Sequence, residues 1–174
     1  SFPGKGNIIM TGSLGDVMRE SANLAFDYIK ANYEKFGIDY ANFQNKDFHI
    51  HVPGGATPKD GPSAGITLTT TLLSLLTNTS IHTNVAMTGE MTLRGKVLPI
   101  GGLKEKVIGA HRSGIRIIFI PSSNEKDLDD IPQDIKNEIK FILVDRYMDI
   151  YQVLFKKKRG RKKYDPRNIR LLID

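Results

Sequence analysis

The sequence has 174 residues, close to the common size of a single domain, and 40% of them are hydrophobic, enough for one buried core. It contains no cysteine, which excludes a disulfide scaffold, cysteine catalysis and thiolate metal sites. No apolar run approaches the ~20 residues that a membrane-spanning helix needs, so no membrane association is expected.

The positive charge is unevenly distributed along the chain. The net charge is +6, yet residues 156–174 contain nine Lys or Arg and two Asp, whereas the residues before them contain 16 basic and 17 acidic side chains. A basic tail of this kind is typical of an appendage rather than of a basic folded surface. We therefore predict a folded domain over residues 1–155 and a basic tail over residues 156–174, whose charge could support weak binding to nucleic acid.

Short strands and helices are predicted to alternate along the chain. The predicted strands cover residues 8–11, 48–52, 85–88, 92–98, 115–120 and 141–144. The predicted helices cover residues 14–33, 63–76, 103–112, 125–130, 132–138 and 147–155. Ser13 is the expected N-cap of the first helix, and Gly37 and Gly114 are the expected stops of two helices. This alternation predicts the α/β class, or α+β.

The loop before Ser63 is the most informative stretch. Residues 53–62 contain three Gly and three Pro and cannot form a regular element. A serine where such a loop enters a helix lies beside backbone N–H groups that could hold an oxyanion. The simpler interpretation is a helix N-cap serine, which is common.

A serine nucleophile needs a base, and the pattern of residues leaves three candidates open. His51 could serve with Asp60 as its orienting acid, in a Ser-His-Asp arrangement. Lys104 and Lys106 lie on one predicted helix, and a lysine acts as a base only where burial favours its uncharged form. Periodicity does not choose between the two lysines, and a solvated surface lysine is the simpler interpretation of either.

Two other known patterns, one present by coincidence and one absent, assign no function to this chain. Residues 123–126 match the S-x-x-K pattern of β-lactamases, but the companion motifs are absent, so the match is attributed to coincidence. No G-x-x-x-x-G-K-[ST] phosphate-binding loop occurs, so no ATPase site is expected in this chain.

Three blocks, in order, resemble the proteolytic domain of Lon-type ATP-dependent proteases of the bacterial and organellar type. They are PKDGPSAG at residues 58–65, AMTGE at residues 86–90 and LPIGGLKEK at residues 98–106. The resemblance covers about residues 3–155 and implies a Lon proteolytic domain with a ribosomal protein S5 domain 2-like fold. It also implies that this chain starts after the domain's usual first strands.

The resemblance also implies roles for individual residues. Ser63 corresponds to the nucleophile and Lys106, not Lys104, to the base of a Ser-Lys dyad. The residue that corresponds to Thr88 orients the lysine ammonium. The other residues implied to line the active site are Glu90, Asp60 and His51.

The loop before the nucleophile carries two further expectations. Its backbone N–H groups are expected to stabilise the oxyanion, with Gly61, Pro62, Ser63 and Ala64 as the candidates. In the family this loop can also fold over the serine in an inactive state. A blocked arrangement, with Asp60 paired to Lys106, is therefore expected for this chain.

The resemblance finally implies a biological setting. The chain would act on unfolded proteins delivered by its own AAA+ module, N-terminal to this chain, within a homohexamer. ATP and Mg²⁺ would serve that module, and no metal or cofactor is expected in this domain. A mitochondrial matrix or other organelle is the expected compartment, with bacterial cytoplasm as the alternative. A nucleic-acid-binding module and a catalytically silent assembly domain are the competing functions.

Overall fold

The computed structural model describes residues 1–53 and 60–156. The strands in these ranges are β1 (Phe2–Pro3), β2 (Ile8–Gly12), β3 (Lys46–Val52), β4 (Val85–Met87), β5 (Glu90–Met91), β6 (Val97–Leu98), β7 (Ile117–Pro121) and β8 (Lys140–Val144). The α-helices are α1 (Asp16–Ala31), α2 (Asn42–Asn45), α3 (Gly65–Thr77), α4 (Leu103–Arg112), α5 (Gln133–Glu138) and α6 (Tyr147–Leu154). Two 3-10 segments are Pro62–Ala64 and Ser122–Asp130. The predicted α/β class is confirmed, while the predicted basic tail lies, beyond its first residue, outside the described residues.

The first sheet has the strand order β1-β3-β2, with β3 antiparallel to β1 and parallel to β2. Side chains alternate across β3, so Phe48 is buried while His49 and His51 are exposed. The Phe48 ring packs against Phe26 of α1 at a centroid distance of 5.1 Å and against Phe43 of α2 at 6.4 Å. These aromatic contacts hold α1 and α2 against the inner face of the sheet.

The second sheet is parallel, with the order β4-β7-β8. Every residue of its central strand β7 is buried. Ile117 and Phe119 belong to the main core, which also contains residues of α1 and α3, whereas Ile118 and Ile120 belong to a second core with α4. A parallel strand covered on both faces has a continuous apolar sequence, which is the pattern of residues 117–121.

Helix α3 runs through the main core although it is rich in threonine. Thr69 and Thr70 are buried, and their hydroxyls donate to the carbonyls of Gly65 and Ile66 at 2.9 Å and 2.8 Å. These bonds satisfy the buried hydroxyls and remove the main penalty of burying them. The Thr70 hydroxyl also lies 2.9 Å from the phenol oxygen of Tyr147, and burial raises the pKa of that phenol. Helix α3 is therefore tied by one side-chain hydrogen bond to Tyr147, the first residue of α6.

Several local features differ from the sequence prediction. Helix α1 ends at Ala31 with Asn32 as its C-cap, so Gly37 is not its stop. The N-cap residue of helix α1 is Gly15 rather than Ser13, and it has no side chain to cap the helix. Residues 92–98 do not form one strand, because β5 and β6 pair as a hairpin whose turn contains Gly95 at φ +73°. Strand β1 and helix α2 were not predicted, since elements of two and four residues are too short for a periodic pattern.

Candidate active site

Ser63 lies in the 3-10 turn Pro62–Ala64, which leads directly into α3. Its carbonyl oxygen accepts hydrogen bonds from the Gly89 N–H at 2.9 Å and from the Thr88 hydroxyl at 3.3 Å. The Ile66 N–H in turn donates to the Gly89 carbonyl at 3.2 Å. The backbone that follows β4 therefore clamps the turn that presents the Ser63 side chain.

Lys106 lies one turn into α4, and its amine reaches back towards the start of that helix. Helical side chains tilt towards the helix N-terminus, which favours this direction. The Lys106 Nζ atom lies 3.3 Å from Ser63 Oγ and 2.9 Å from the Gly101 carbonyl oxygen. Buried Leu103 and Val107 anchor α4 in the second core. The structure thus brings together the serine and the lysine that the resemblance pairs.

The two lysines of α4 have different surroundings. Lys104 is exposed and makes no hydrogen bond or ion pair with any described residue. Lys106 contacts Ser63 and Gly101, but its side chain is exposed too. Burial, which a lysine base requires, is therefore not met by Lys106 in this structure. The Ser63 and Lys106 side chains lie in an open cleft rather than in an enclosed site.

A cavity of about 230 Å³ opens beside Ser63 and Lys106. Its walls are otherwise mostly apolar and come from β4, α4 and β7. They include Ala86, Met87, Leu103, Val107, Ala110 and Ile118. An apolar side chain entering this cavity would gain about 25 cal/mol for each Å² of surface removed from water.

Two of the four residues expected to donate to the oxyanion cannot do so in this conformation, so the prediction is wrong for them. Pro62 has no backbone N–H, so it cannot donate. The Gly61 N–H donates to the Asp60 carboxylate at 2.9 Å and so is directed elsewhere. The N–H groups of Ser63 and Ala64 remain as candidates. Gly61 itself has φ +135°, a conformation that favours glycine.

Asp60 caps a helix instead of blocking the lysine. Its Oδ1 atom accepts a hydrogen bond at 3.0 Å from the N–H of Met18, in the first turn of α1. This replaces the capping side chain that Gly15 lacks, and a Cβ on Gly15 would lie only 2.2 Å from the Asp60 carboxyl carbon. Among the described residues, no ion pair joins Asp60 to Lys106. The expected blocked arrangement is therefore wrong for this structure.

The Ser-His-Asp alternative is not assembled. His51 Nδ1 lies 2.9 Å from the Thr11 hydroxyl, which also lies 2.8 Å from His49 Nε2. Asp60 is bonded to the backbone of α1 and of the next residue, not to His51. His51 does not line the cavity beside Ser63.

The remaining two predicted residues differ in their placement. Thr88 lines the cavity, but its hydroxyl donates to the Ser63 carbonyl rather than to Lys106. Glu90 pairs with Leu98 in the β5–β6 hairpin and does not line the cavity. Within residues 1–53 and 60–156, no cluster of three or more His, Asp or Glu is placed to hold a metal ion. No helix in those ranges is long and apolar enough to cross a membrane.

Two main-chain groups at the site were not found from the sequence. They are the Gly101 carbonyl, which accepts from Lys106, and the Gly89 N–H, which holds the Ser63 carbonyl. Every residue carries such groups, so residue type gives no direct signal for them. The available signal was the glycine residue type, which often marks a close approach of the backbone. At Gly89 the structure shows such an approach, since an added Cβ would lie 2.8 Å from Val97 Cγ1.

The chain is similar over most of its length to proteins of one family. Residues 1–157 match the family model of the Lon protease (S16) C-terminal proteolytic domain. A Lon protease of Mycoplasma mycoides is 56% identical over 156 residues, which is 90% of this chain and 20% of that protein. Lon protease 1 of Bacillus subtilis is 54% identical over 150 residues, which is 86% of this chain and 19% of that protein.

The chain thus spans about a fifth of the length of the curated relatives it matches. Relatives from Myxococcus xanthus and Bacillus thuringiensis, each 55% identical, are likewise bacterial, and none of these relatives supports the expected mitochondrial location. The match covers both the turn that carries Ser63 and the helix that carries Lys106. On this evidence the chain belongs to the family of Lon protease C-terminal proteolytic domains.

Proposed function

We propose that this chain is a serine endopeptidase unit in which Ser63 is the nucleophile and Lys106 the general base. The observation that carries the proposal is the 3.3 Å distance between Ser63 Oγ and Lys106 Nζ at the mouth of an apolar cavity. Membership of a family of proteolytic domains supports the same reaction class.

The reaction follows from this pair of groups. The uncharged Lys106 amine accepts the Ser63 hydroxyl proton while Oγ attacks the carbonyl carbon of a peptide bond. The lysine then passes that proton to the leaving amine nitrogen as the C–N bond breaks, which leaves an ester on Ser63. A water molecule attacks the ester carbonyl and gives a proton to Lys106, which passes it to Ser63 Oγ as the ester C–O bond breaks, and the freed acid leaves.

The tetrahedral intermediates need donors for their oxyanion. The N–H groups of Ser63 and Ala64 are our candidates, at the start of α3, where unpaired N–H groups favour negative charge. A donor of this kind contributes roughly 3–4 kcal/mol to transition-state stabilisation. Release of the Gly61 N–H from Asp60 would add a third donor.

The exposure of Lys106 sets a requirement on the working state. A lysine in open water is mostly protonated near neutral pH and cannot accept a proton. A substrate that fills the cavity would displace water from around the amine and favour its uncharged form. We therefore propose that substrate occupancy, or a covering neighbour, completes the site.

The cavity also indicates which side chain is held. We propose that it accepts the apolar side chain on the acyl side of the cleaved bond, because it opens directly beside Ser63 Oγ. Apolar residues are buried in folded proteins and exposed in unfolded ones. This preference fits unfolded proteins as substrates.

The wider setting is also a proposal. The chain would receive unfolded protein from an AAA+ module of the same protein, which would use ATP and Mg²⁺, within a homohexamer in a bacterial cytoplasm. The bacterial origin of the relatives supports the compartment. Light scattering on the full-length protein would test the hexamer, and a monomer or dimer would contradict it.

The proposed dyad is tested with three variants and a short unstructured peptide that contains one apolar residue. Ser63→Ala and Lys106→Ala should each reduce hydrolysis to a small residual rate, and the double variant should be hardly slower than either, because the groups act as a unit. Lys104→Ala is the matched control and should stay within about twofold of wild type. Near wild-type hydrolysis by folded Lys106→Ala would sink the proposal.

A further inference from the structure

A buried amide fixes the loop that precedes α4. Asn124, in the 3-10 segment Ser122–Asp130, is 3% exposed. Its Oδ1 atom accepts from the Ile100 N–H at 3.0 Å, and its Nδ2 atom donates to the Ile100 carbonyl at 2.8 Å. One side chain therefore satisfies both main-chain groups of Ile100, across 24 residues of sequence.

A third contact fixes which way this amide points. Asn124 Nδ2 also donates to Asp127 Oδ2 at 2.6 Å. A carboxylate accepts and does not donate, so the nitrogen must face Asp127 and the oxygen must face the Ile100 N–H. The amide can hold Ile100 in one orientation only.

Gly101, the residue after Ile100, is the one whose carbonyl bonds Lys106. The Gly101 carbonyl accepts from Lys106 Nζ at 2.9 Å, and Gly102 follows with φ +67°. Two successive glycines have wide conformational freedom, so this loop needs an external tie to keep its carbonyl in one place. The two bonds from Asn124 are such a tie.

We propose that Asn124 is a positioning residue for the base: it fixes Ile100, which directs the Gly101 carbonyl at the Lys106 amine. An uncharged amine that donates one N–H to Gly101 can point its lone pair at the Ser63 hydroxyl. If the Gly101 carbonyl moves, the Lys106 amine can still reach Ser63, but its lone pair no longer points at the Ser63 hydroxyl. The inference rests on the proposed dyad and adds a residue that does not touch the substrate.

The test compares Asn124→Ala with Asn32→Ala. Asn32 is the matched control, because its Nδ2 donates to the Tyr28 carbonyl at 2.9 Å in α1, away from α4. With the short peptide, Asn124→Ala should lower kcat on the order of 10²-fold, the effect of misplacing a catalytic group by about 1 Å. KM should change little, because the cavity walls are untouched, and Asn32→Ala should leave both constants unchanged.

A second comparison separates positioning from a general structural effect. In a Lys106→Ala background, adding Asn124→Ala should not lower the residual rate further, because the group it positions is gone. An unchanged kcat for folded Asn124→Ala would overturn the inference. So would an equal fold loss in the wild-type and Lys106→Ala backgrounds.

Three further outcomes separate the inference from the proposed function. If Asn124→Ala does not fold, Asn124→Ser keeps a small polar side chain and adds no charge beside Asp127, but it is too short to bond both main-chain groups of Ile100. A folded Asn124→Ser with wild-type kcat would then overturn the inference. If Lys106→Ala itself keeps full activity, the proposed function fails and this inference falls with it. If Lys106→Ala is inactive and the Asn124 variants are fully active, the inference fails alone.

Discussion

At the scale of single residues, Asp60 shows how a distant side chain replaces a local one. Helix α1 has no capping side chain at its own start, and Asp60 supplies the acceptor from 42 residues away. The same carboxylate holds the Gly61 N–H, two residues before Ser63. The start of α1 and the turn that carries Ser63 are therefore tied through one carboxylate.

Gly15→Ala tests this tie. Gly15 has φ −76° and ψ 175°, which alanine adopts without strain, so any effect must come from the contact of the new Cβ with Asp60. Losing the cap should lower the free energy of unfolding by about 0.5–2 kcal/mol. Urea denaturation gives this difference.

Gly109→Ala is the control for Gly15→Ala. Gly109 lies within α4, where an added Cβ meets nothing within 4 Å, so alanine should stabilise the chain by up to about 1 kcal/mol. Equal effects of the two substitutions would contradict the proposed contact between residue 15 and Asp60.

Asp47 gives a pH-dependent prediction. Hydrogen bonds from the backbone N–H groups of Asn7 and Lys5 lower the pKa of its carboxyl below the ordinary 3.8. A carboxyl with a lowered folded-state pKa stabilises the fold above its unfolded-state value, and this contribution is lost as the pH falls through the folded-state value. The Tm of wild type should therefore exceed that of Asp47→Asn at pH 7, and the difference should shrink below about pH 4. A difference that is constant with pH would contradict this.

Some of these residue roles were predictable and others were not. Periodicity left Lys104 and Lys106 equal, and only the block LPIGGLKEK chose between them. The capping role of Asp60 and the tie from Asn124 join residues 42 and 24 positions apart, so no local pattern indicates them. Sequence reasoning found Asp60 both from the residue pattern and through the resemblance, but the structure bonds it to neither expected partner, His51 or Lys106.

At the scale of elements, the predictions held where a pattern was long or continuous. Helix α4 has the predicted limits, and β7 overlaps the predicted strand at residues 117–120, where both of its faces are buried. The β5–β6 hairpin was missed because its strands have two residues each, and Gly95 was read as part of a strand rather than as a turn. The glycine at position 95, between two short segments, was the available signal for that turn.

The connection from β4 to β5 gives a prediction at this scale. Gly89 bonds to Ser63 and Ile66 through its backbone, and an added Cβ would lie 2.8 Å from Val97 Cγ1 and 3.0 Å from Ile66 Cδ1. Gly89→Ala should therefore displace the backbone that follows β4 from the turn that carries Ser63. We expect a loss of kcat on the order of 10²-fold and a lower Tm. A folded variant with wild-type kcat would show that the Gly89 backbone bonds do not set the position of Ser63.

At the scale of the whole molecule, the proposed dyad joins two cores. Ser63 precedes α3, which is buried in the main core, and Lys106 is carried by α4, which packs on the second core. The sheet β4-β7-β8 lies between them and contributes alternate residues of β7 to each core. The 3.3 Å contact between Ser63 and Lys106 thus depends on the relative position of both cores. Sequence periodicity predicts each core face but not how the two faces align.

This arrangement leads to a prediction about substrates. In our proposal the cavity beside Ser63 accepts one side chain of an extended peptide, and a folded protein does not offer an apolar side chain with free backbone on both sides. The sequence contains no phosphate-binding loop, so these 174 residues have no evident means of unfolding a substrate with ATP. The chain by itself should therefore cleave short peptides and unfolded polypeptides and leave stable folded proteins intact.

The measurement uses one protein substrate in two states. A disulfide-bonded globular protein is offered either native or reduced and alkylated, so its sequence is the same while its fold is lost. The reduced form should be cleaved after apolar residues, at a rate that rises with pH because the base must lose its proton. The native form should remain uncut over the same period, and Ser63→Ala should cut neither. Equal cleavage of both states by the chain alone, with no cleavage by Ser63→Ala, would show that the site acts on folded surfaces and that substrate selection does not depend on unfolding.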